Sequence, residues 1–195
     1  ESPLLTLGQL FGLAVVIALL HLVAGYSFLL FHTLIETLRI VVLGGIFVLA
    51  WHSRRWATNN FLLILGLSSI FVAGLAMLHT LSYKGVGLLP GYDANLPTQL
   101  WIAFRYLESA SFLFAALAIP RSDSPRRLLV AYAVITSALG AAIFGGYFPD
   151  CYVEGQGLTD FKIYSEFAIT GLFAVSLGVL LIQRHHFKTG VLRLI

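Results

Sequence analysis

The segment LHTLSYKGVGLLPGYDANLPTQLWIAFRYLES, residues 78–109, decides how this chain is read. Its middle is polar and interrupted by Gly85, Gly87, Pro90, Gly91 and Pro97, so it punctuates the chain rather than continuing a helix. Its two ends run into apolar stretches and carry ionisable residues with them. His79 closes one stretch, and Trp101, Arg105 and Glu108 open the next. A loop that merely joined two apolar helices would not need those side chains inside the helices.

Outward from this segment the chain is overwhelmingly apolar. Of its 195 residues 58% are hydrophobic and 11% charged, less than half of the roughly 25% charged residues of a soluble domain. Such a chain cannot cover itself with a hydrated surface. The apolar runs are continuous rather than alternating, which excludes a β-barrel and leaves an all-α, polytopic membrane protein. Six runs reach the roughly 20 residues a bilayer crossing requires: residues 4–24, 30–51, 61–81, 100–119, 128–148 and 163–182. With no internal repeat or low-complexity tract, residues 1–195 read as a single six-helix domain. The very short link after the first run predicts an antiparallel hairpin of the first two helices. The single cysteine, Cys151, excludes an internal disulfide and a thiolate cluster, and reads as a plain loop thiol. The glycines Gly44, Gly45, Gly140, Gly145 and Gly146 read as points of close helix packing.

Topology follows from the basic residues. Eight of the twelve lysines and arginines fall in the connections after the second and fourth helices and in the tail: Arg54, Arg55, Arg121, Arg126, Arg127, Arg184, Lys188 and Arg193. The opposite connections hold only Lys84 and Lys162. The positive-inside rule therefore puts both termini in the cytoplasm. The same distribution accounts for the net charge of +3 without nucleic acid. Trp51 and Trp56 mark the inner boundary, with His52 as an interfacial anchor, and Pro120 stops the fourth helix. The pair His185 and His186 reads as part of an exposed juxtamembrane face.

On this placement the intramembrane polar residues all fall in the outer half: His21, His32, Glu36, Arg39, His79, Arg105, Glu108 and Glu166. A charged group in hydrocarbon costs about 2.5–3.5 kcal/mol on insertion scales. Glu36, Arg39, Arg105 and Glu108 must therefore face each other, a cavity or a ligand. His32 and Glu36 are one helical turn apart and share a face, and Trp101, Arg105 and Glu108 share another. His32, Glu36 and His79 form a compact two-nitrogen, one-oxygen set for a transition metal. Each member also has a plainer reading: Glu36–Arg39 and Arg105–Glu108 as packing salt bridges, His79 as a helix-end cap on a loop carbonyl. A haem b held by His32 and His79, or by His21 and His79, is the alternative cofactor. A quinone walled by Phe104, Tyr106 and Tyr164 is another. A transporter would need polar residues continuing into the inner half, which is almost wholly apolar. An enzyme using Glu36 and Glu108 as acid and base lacks a supporting nucleophile or hydrolase motif.

The motifs FHTLIE (31–36), WHSRR (51–55), LHTLSYKG (78–85) and YDANLPTQLWIAFRYLES (92–109) together resemble the membrane-associated sensor domain family of the third type (MASE type three). The correspondence runs from the second to the fourth helix, at His32, Glu36, His79, Tyr83, Lys84, Asn95, Gln99, Trp101, Arg105, Tyr106 and Glu108. The last two helices match in hydropathy and position. At His52 the family usually carries a small polar residue, which removes His52 from the expected site. The resemblance implies an N-terminal sensory module of a bacterial histidine kinase or cyclic-di-GMP enzyme in the inner membrane. Such a module is not itself an enzyme. Its expected partners are the lipid bilayer, a second copy in a homodimer, and a cytoplasmic output domain following the last helix. The expected binding residues are His32, Glu36, His79, Tyr83, Asn95, Gln99, Trp101, Arg105 and Glu108, with the loop 82–99 closing over them.

Overall fold

A computed structural model describes residues 7–54, 60–86, 88–118 and 124–183. Six helices follow in order: α1 Leu7–Tyr26, α2 Phe28–Ser53, α3 Phe61–Ser82, α4 Asn95–Leu117, α5 Pro125–Phe144 and α6 Asp160–Ile182. All six are long and apolar enough to cross a membrane. In hydrocarbon only a helix or a closed barrel satisfies its own backbone groups, so long apolar runs of this kind become helices. Arg55, Trp56, Pro120, Arg121, Arg184, His185, His186, Lys188 and Arg193 lie outside the described residues, as do positions 4–6 and 119 of the expected first and fourth helices.

The bundle is built on α3 and α4. Ile64, Leu67, Val72 and Ala76 of α3 and Leu100, Ala103, Phe104 and Ala115 of α4 are almost fully buried. α2 packs on α3, α5 lies against α3, and α6 lies against α4. Small residues permit these approaches. A side chain at Gly66 would collide with the Ala50 methyl, so the backbone of α3 rests directly on Ala50 of α2 there. Ser69 ties the same seam by donating to the Leu43 carbonyl at 2.9 Å. Gly44, Gly45 and Gly140, expected to serve this purpose, have open space where a side chain would project. The close contact is instead set by Gly66, an interior position of α3.

Several boundaries move, each for a local reason. Ser27 alone separates α1 from α2 and caps α2, its side chain accepting from the Leu30 N–H at 3.2 Å. One residue is less chain than the two to five of a usual antiparallel helix turn, and α1 buries none of its residues. α1 lies against α2, the neighbour that the short link predicts. α4 begins five residues before Leu100, and Pro97 sits inside its first turn, where a missing N–H removes no helical hydrogen bond. α5 starts at Pro125 and ends at Phe144, short of residue 148. There Gly146 adopts a positive φ of 74° and the Tyr147 and Phe148 amides both donate to the Ala142 carbonyl. Beyond it β1 Tyr152–Val153 and β2 Gly157–Leu158 form a small antiparallel hairpin that the hydropathy pattern did not announce.

Candidate functional site

One end of the bundle carries the connections 83–94 and 145–159. Below it α2 brings His32, Glu36 and Arg39 toward α3 and α4. His79, in the last turn of α3, is buried. Its Nδ1–H donates to the Pro97 carbonyl of α4 at 2.7 Å. A carbonyl can only accept, so in the neutral ring the lone pair is on Nε2. That nitrogen faces Nε2 of His32 at 3.3 Å. The His32 ring is stacked on Tyr83, centroids 3.9 Å apart. One donor atom from each of His32, Glu36 and His79 lies within 4.8 Å of the others.

The charged groups form a chain across two helices, α2 and α4. Glu108 accepts from Arg39 at 2.7 Å and from Arg105 at 2.8 Å, through the same oxygen. The Arg39 guanidinium rests over Phe104, 4.3 Å from the ring centroid, a cation–π contact on a fully buried ring. Glu36 is left loosely held. Its Oε2 is 3.9 Å from Arg39, beyond hydrogen-bonding distance, and has no hydrogen-bond partner among the described residues, as is true of Nδ1 of His32. The Arg39 partner expected from spacing along α2 was Glu36; the tight partner is Glu108 of another helix.

Trp101 connects this cluster to α6. Its ring lies 5.5 Å from that of His79, and its indole N–H donates to Glu166 at 2.8 Å. Lys162, one turn before Glu166, holds the same carboxylate at 3.0 Å. Arg105 adds a second link, 5.0 Å over the Phe173 ring. The i, i+4 spacing of Lys162 and Glu166 was the sequence signal for this salt bridge.

Asn95 and Gln99 do something other than line the cluster. Asn95 Oδ1 accepts from the Cys151 and Tyr152 amides at 2.8 and 3.0 Å, and its Nδ2 donates to Asp150 at 2.7 Å. Gln99 donates to the Phe148 and Pro149 carbonyls at 3.0 and 3.1 Å. Both amides therefore latch the β-hairpin segment onto the start of α4. Cys151, expected as a plain loop thiol, is fully buried under this latch, and burial pushes its thiol up to about 12. His21 is exposed on α1, away from the cluster. Of the expected quinone walls, Phe104 lies under Arg39, Tyr106 lines an apolar cleft between α4 and α5, and Tyr164 is 70% exposed.

No curated protein and no solved structure matches this chain. A family model described as a membrane-associated sensor domain matches residues 23–195, a span that includes every residue of the cluster from His32 to Glu166. With six helices able to cross a membrane and polar side chains converging at one end of them, the chain belongs to the MASE3 family of membrane-associated sensor domains.

Proposed function

We propose that this domain senses a ligand at the cluster of His32, Glu36 and His79 and passes the outcome through α6 to a cytoplasmic output domain of a bacterial signalling protein. The observation that carries this is the Glu36 oxygen, unpaired among the described residues, on a side chain only 6% exposed. An ionisable group at membrane depth costs several kcal/mol without a partner, and a bound ligand would offset that cost. The basic residues Arg54, Arg126 and Arg127 stand at the opposite end of the bundle and support its facing the cytoplasm. The hairpin end would then face outward from the inner membrane, and both termini would lie inside.

A ligand shifts a conformational equilibrium only by binding its two states unequally. The contacts from His79 through Trp101 to Glu166 give α6 a stake in the arrangement of the cluster. In a homodimer, paired α6 helices would turn or tilt to drive a histidine kinase or a cyclic-di-GMP enzyme, where any catalysis would reside. A haem between His32 and His79 is less well supported. A flat macrocycle needs a layer between its axial ligands, and two nitrogens 3.3 Å apart leave none. An apolar ligand such as a quinone would have the cleft between α4 and α5 but not the polar cluster.

The test uses the full-length signalling protein in its own membrane. Glu36→Gln and His79→Ala are expected to fix the output activity in one state across growth conditions that switch the native protein, with Lys84→Ala responding as native. Normal switching in both cluster variants would refute the sensory assignment.

A further inference from the structure

We infer that the ligand is a borderline divalent transition-metal ion of the zinc type, held by Nε2 of His32, Nε2 of His79 and the Glu36 carboxylate. This rests on the reading of the cluster as the sensory pocket and names what the pocket takes. The distance between the imidazoles is the first argument. Two nitrogens bonded to one tetrahedral zinc at about 2.0–2.1 Å stand roughly 3.3–3.4 Å apart. His32 and His79 present theirs at 3.3 Å. The second argument is the hydrogen bond behind His79. A metal-bound histidine commonly donates its other N–H to a carbonyl or carboxylate, which fixes the tautomer and turns the bare nitrogen toward the ion. His79 donates Nδ1–H to Pro97 in this way.

The third argument is the Glu36 side chain, 6% exposed with an oxygen that hydrogen-bonds to nothing. The two arginines are each bound by Glu108, at 2.7 and 2.8 Å, with Arg105 Nε left without a partner among the described residues. Glu36 is therefore the carboxylate left available, and an ion would draw it from Arg39 at little loss, since their 3.9 Å contact is already loose. Two imidazoles with one carboxylate suit borderline d-block ions rather than magnesium or calcium, which take oxygen ligands. Three protein donors leave a fourth position for water or an exogenous ligand. Loading would join His32 and Glu36 of α2 to His79 of α3 and leave Arg39 to Glu108 and the Phe104 ring of α4, and so gives the ion a purchase on helix packing.

The full chain is extracted into detergent, stripped with a chelator, and titrated with zinc alone and with cobalt alone. One equivalent of each is expected, cobalt giving visible d–d bands. His32→Ala and His79→Ala should weaken zinc binding by more than the roughly 10–100-fold that loss of an outer-shell partner costs. His52→Ala, at the far end of α2, should bind as the native chain does. If the alanine variants do not fold, His32→Cys decides: a thiolate on cobalt adds an intense near-ultraviolet charge-transfer band that a merely structural residue would not produce. A folded native chain that takes up neither metal, uptake indifferent to both histidines, or a cobalt-loaded His32→Cys chain without that band would each overturn the assignment. Output fixed by Glu36→Gln with no metal uptake sinks the metal alone. Metal uptake with output still switching in the cluster variants sinks the sensory reading and leaves the metal site standing.

Discussion

Glu108 is the residue on which the charged chain turns. Both arginines share one of its oxygens, and among the described residues neither has another carboxylate within hydrogen-bonding distance. Glu108→Gln would leave two guanidiniums facing one neutral amide. Removing one partner of a buried ion pair costs about 3–5 kcal/mol. These side chains keep 19–28% of their surface, so a loss of roughly 2 kcal/mol is expected, read as a lower midpoint of thermal unfolding in detergent. Lys84, paired with Glu154 while both are 76% exposed, is the contrast. Its replacement by leucine should stay within about 0.5 kcal/mol. Equal midpoints for the two variants would mean that the arginines find other partners. The sequence indicated that Arg39, Arg105, Glu36 and Glu108 had to face each other, a cavity or a ligand, because lipid offers them nothing. Which acid served which base was not legible there, since the answer depends on the rotation of α2 against α4.

The start of α4 and the segment 149–159 behave as one element. Asn95 and Gln99 supply the side-chain bonds that hold the hairpin, and Thr159 adds a donation to the Asp150 carbonyl at 2.7 Å while capping α6. Asn95→Ala removes three hydrogen bonds at once and should free the hairpin without altering α4. Cys151 reports this directly. In the native chain it is buried and its thiol is pushed up to about 12, so maleimide labelling should stay slow at neutral pH. In Asn95→Ala labelling should speed up several-fold. The sign of the pH effect follows from the direction of the shift. A thiol harder to ionise in the folded state holds its proton while the unfolded chain releases it, so its contribution to stability is intact below pH 9 and lost as pH rises from 9 toward 12. Fast native labelling at pH 7 would show that the latch is open. The resemblance put Asn95 and Gln99 among the pocket residues, in a loop expected to close over the cluster, whereas α4 already begins at Asn95. Their targets are backbone groups and the Asp150 carboxylate about fifty residues later, in a segment whose hairpin is too short to leave a hydropathy signature.

For the whole molecule the open question of orientation has a direct measurement. Glu154 is exposed at the hairpin end and Arg127 is exposed at the other. On the proposed topology Glu154→Cys, in a chain also carrying Cys151→Ser, should react with a membrane-impermeant maleimide in intact cells. Arg127→Cys in the same background should react only after permeabilisation. The reverse pattern would turn the sensory cluster toward the cytoplasm. α1 is the element where the sequence misleads most about assembly. Its hydropathy is that of a spanning helix, yet it buries nothing and joins α2 through one residue. An apolar run announces that a segment leaves water and does not say whether lipid or protein receives it.

That division describes the protein generally. Membrane class, six helices and the gathering of ionisable groups toward one end were all settled by the linear order of apolar and charged residues, because transfer out of water is decided segment by segment. The opposition of His32 to His79, the capture of both arginines by Glu108 and the diversion of Asn95 and Gln99 to the hairpin were decided only by tertiary structure. Such pairings depend on how helices rotate and slide against one another, and spacing within a single helix constrains neither.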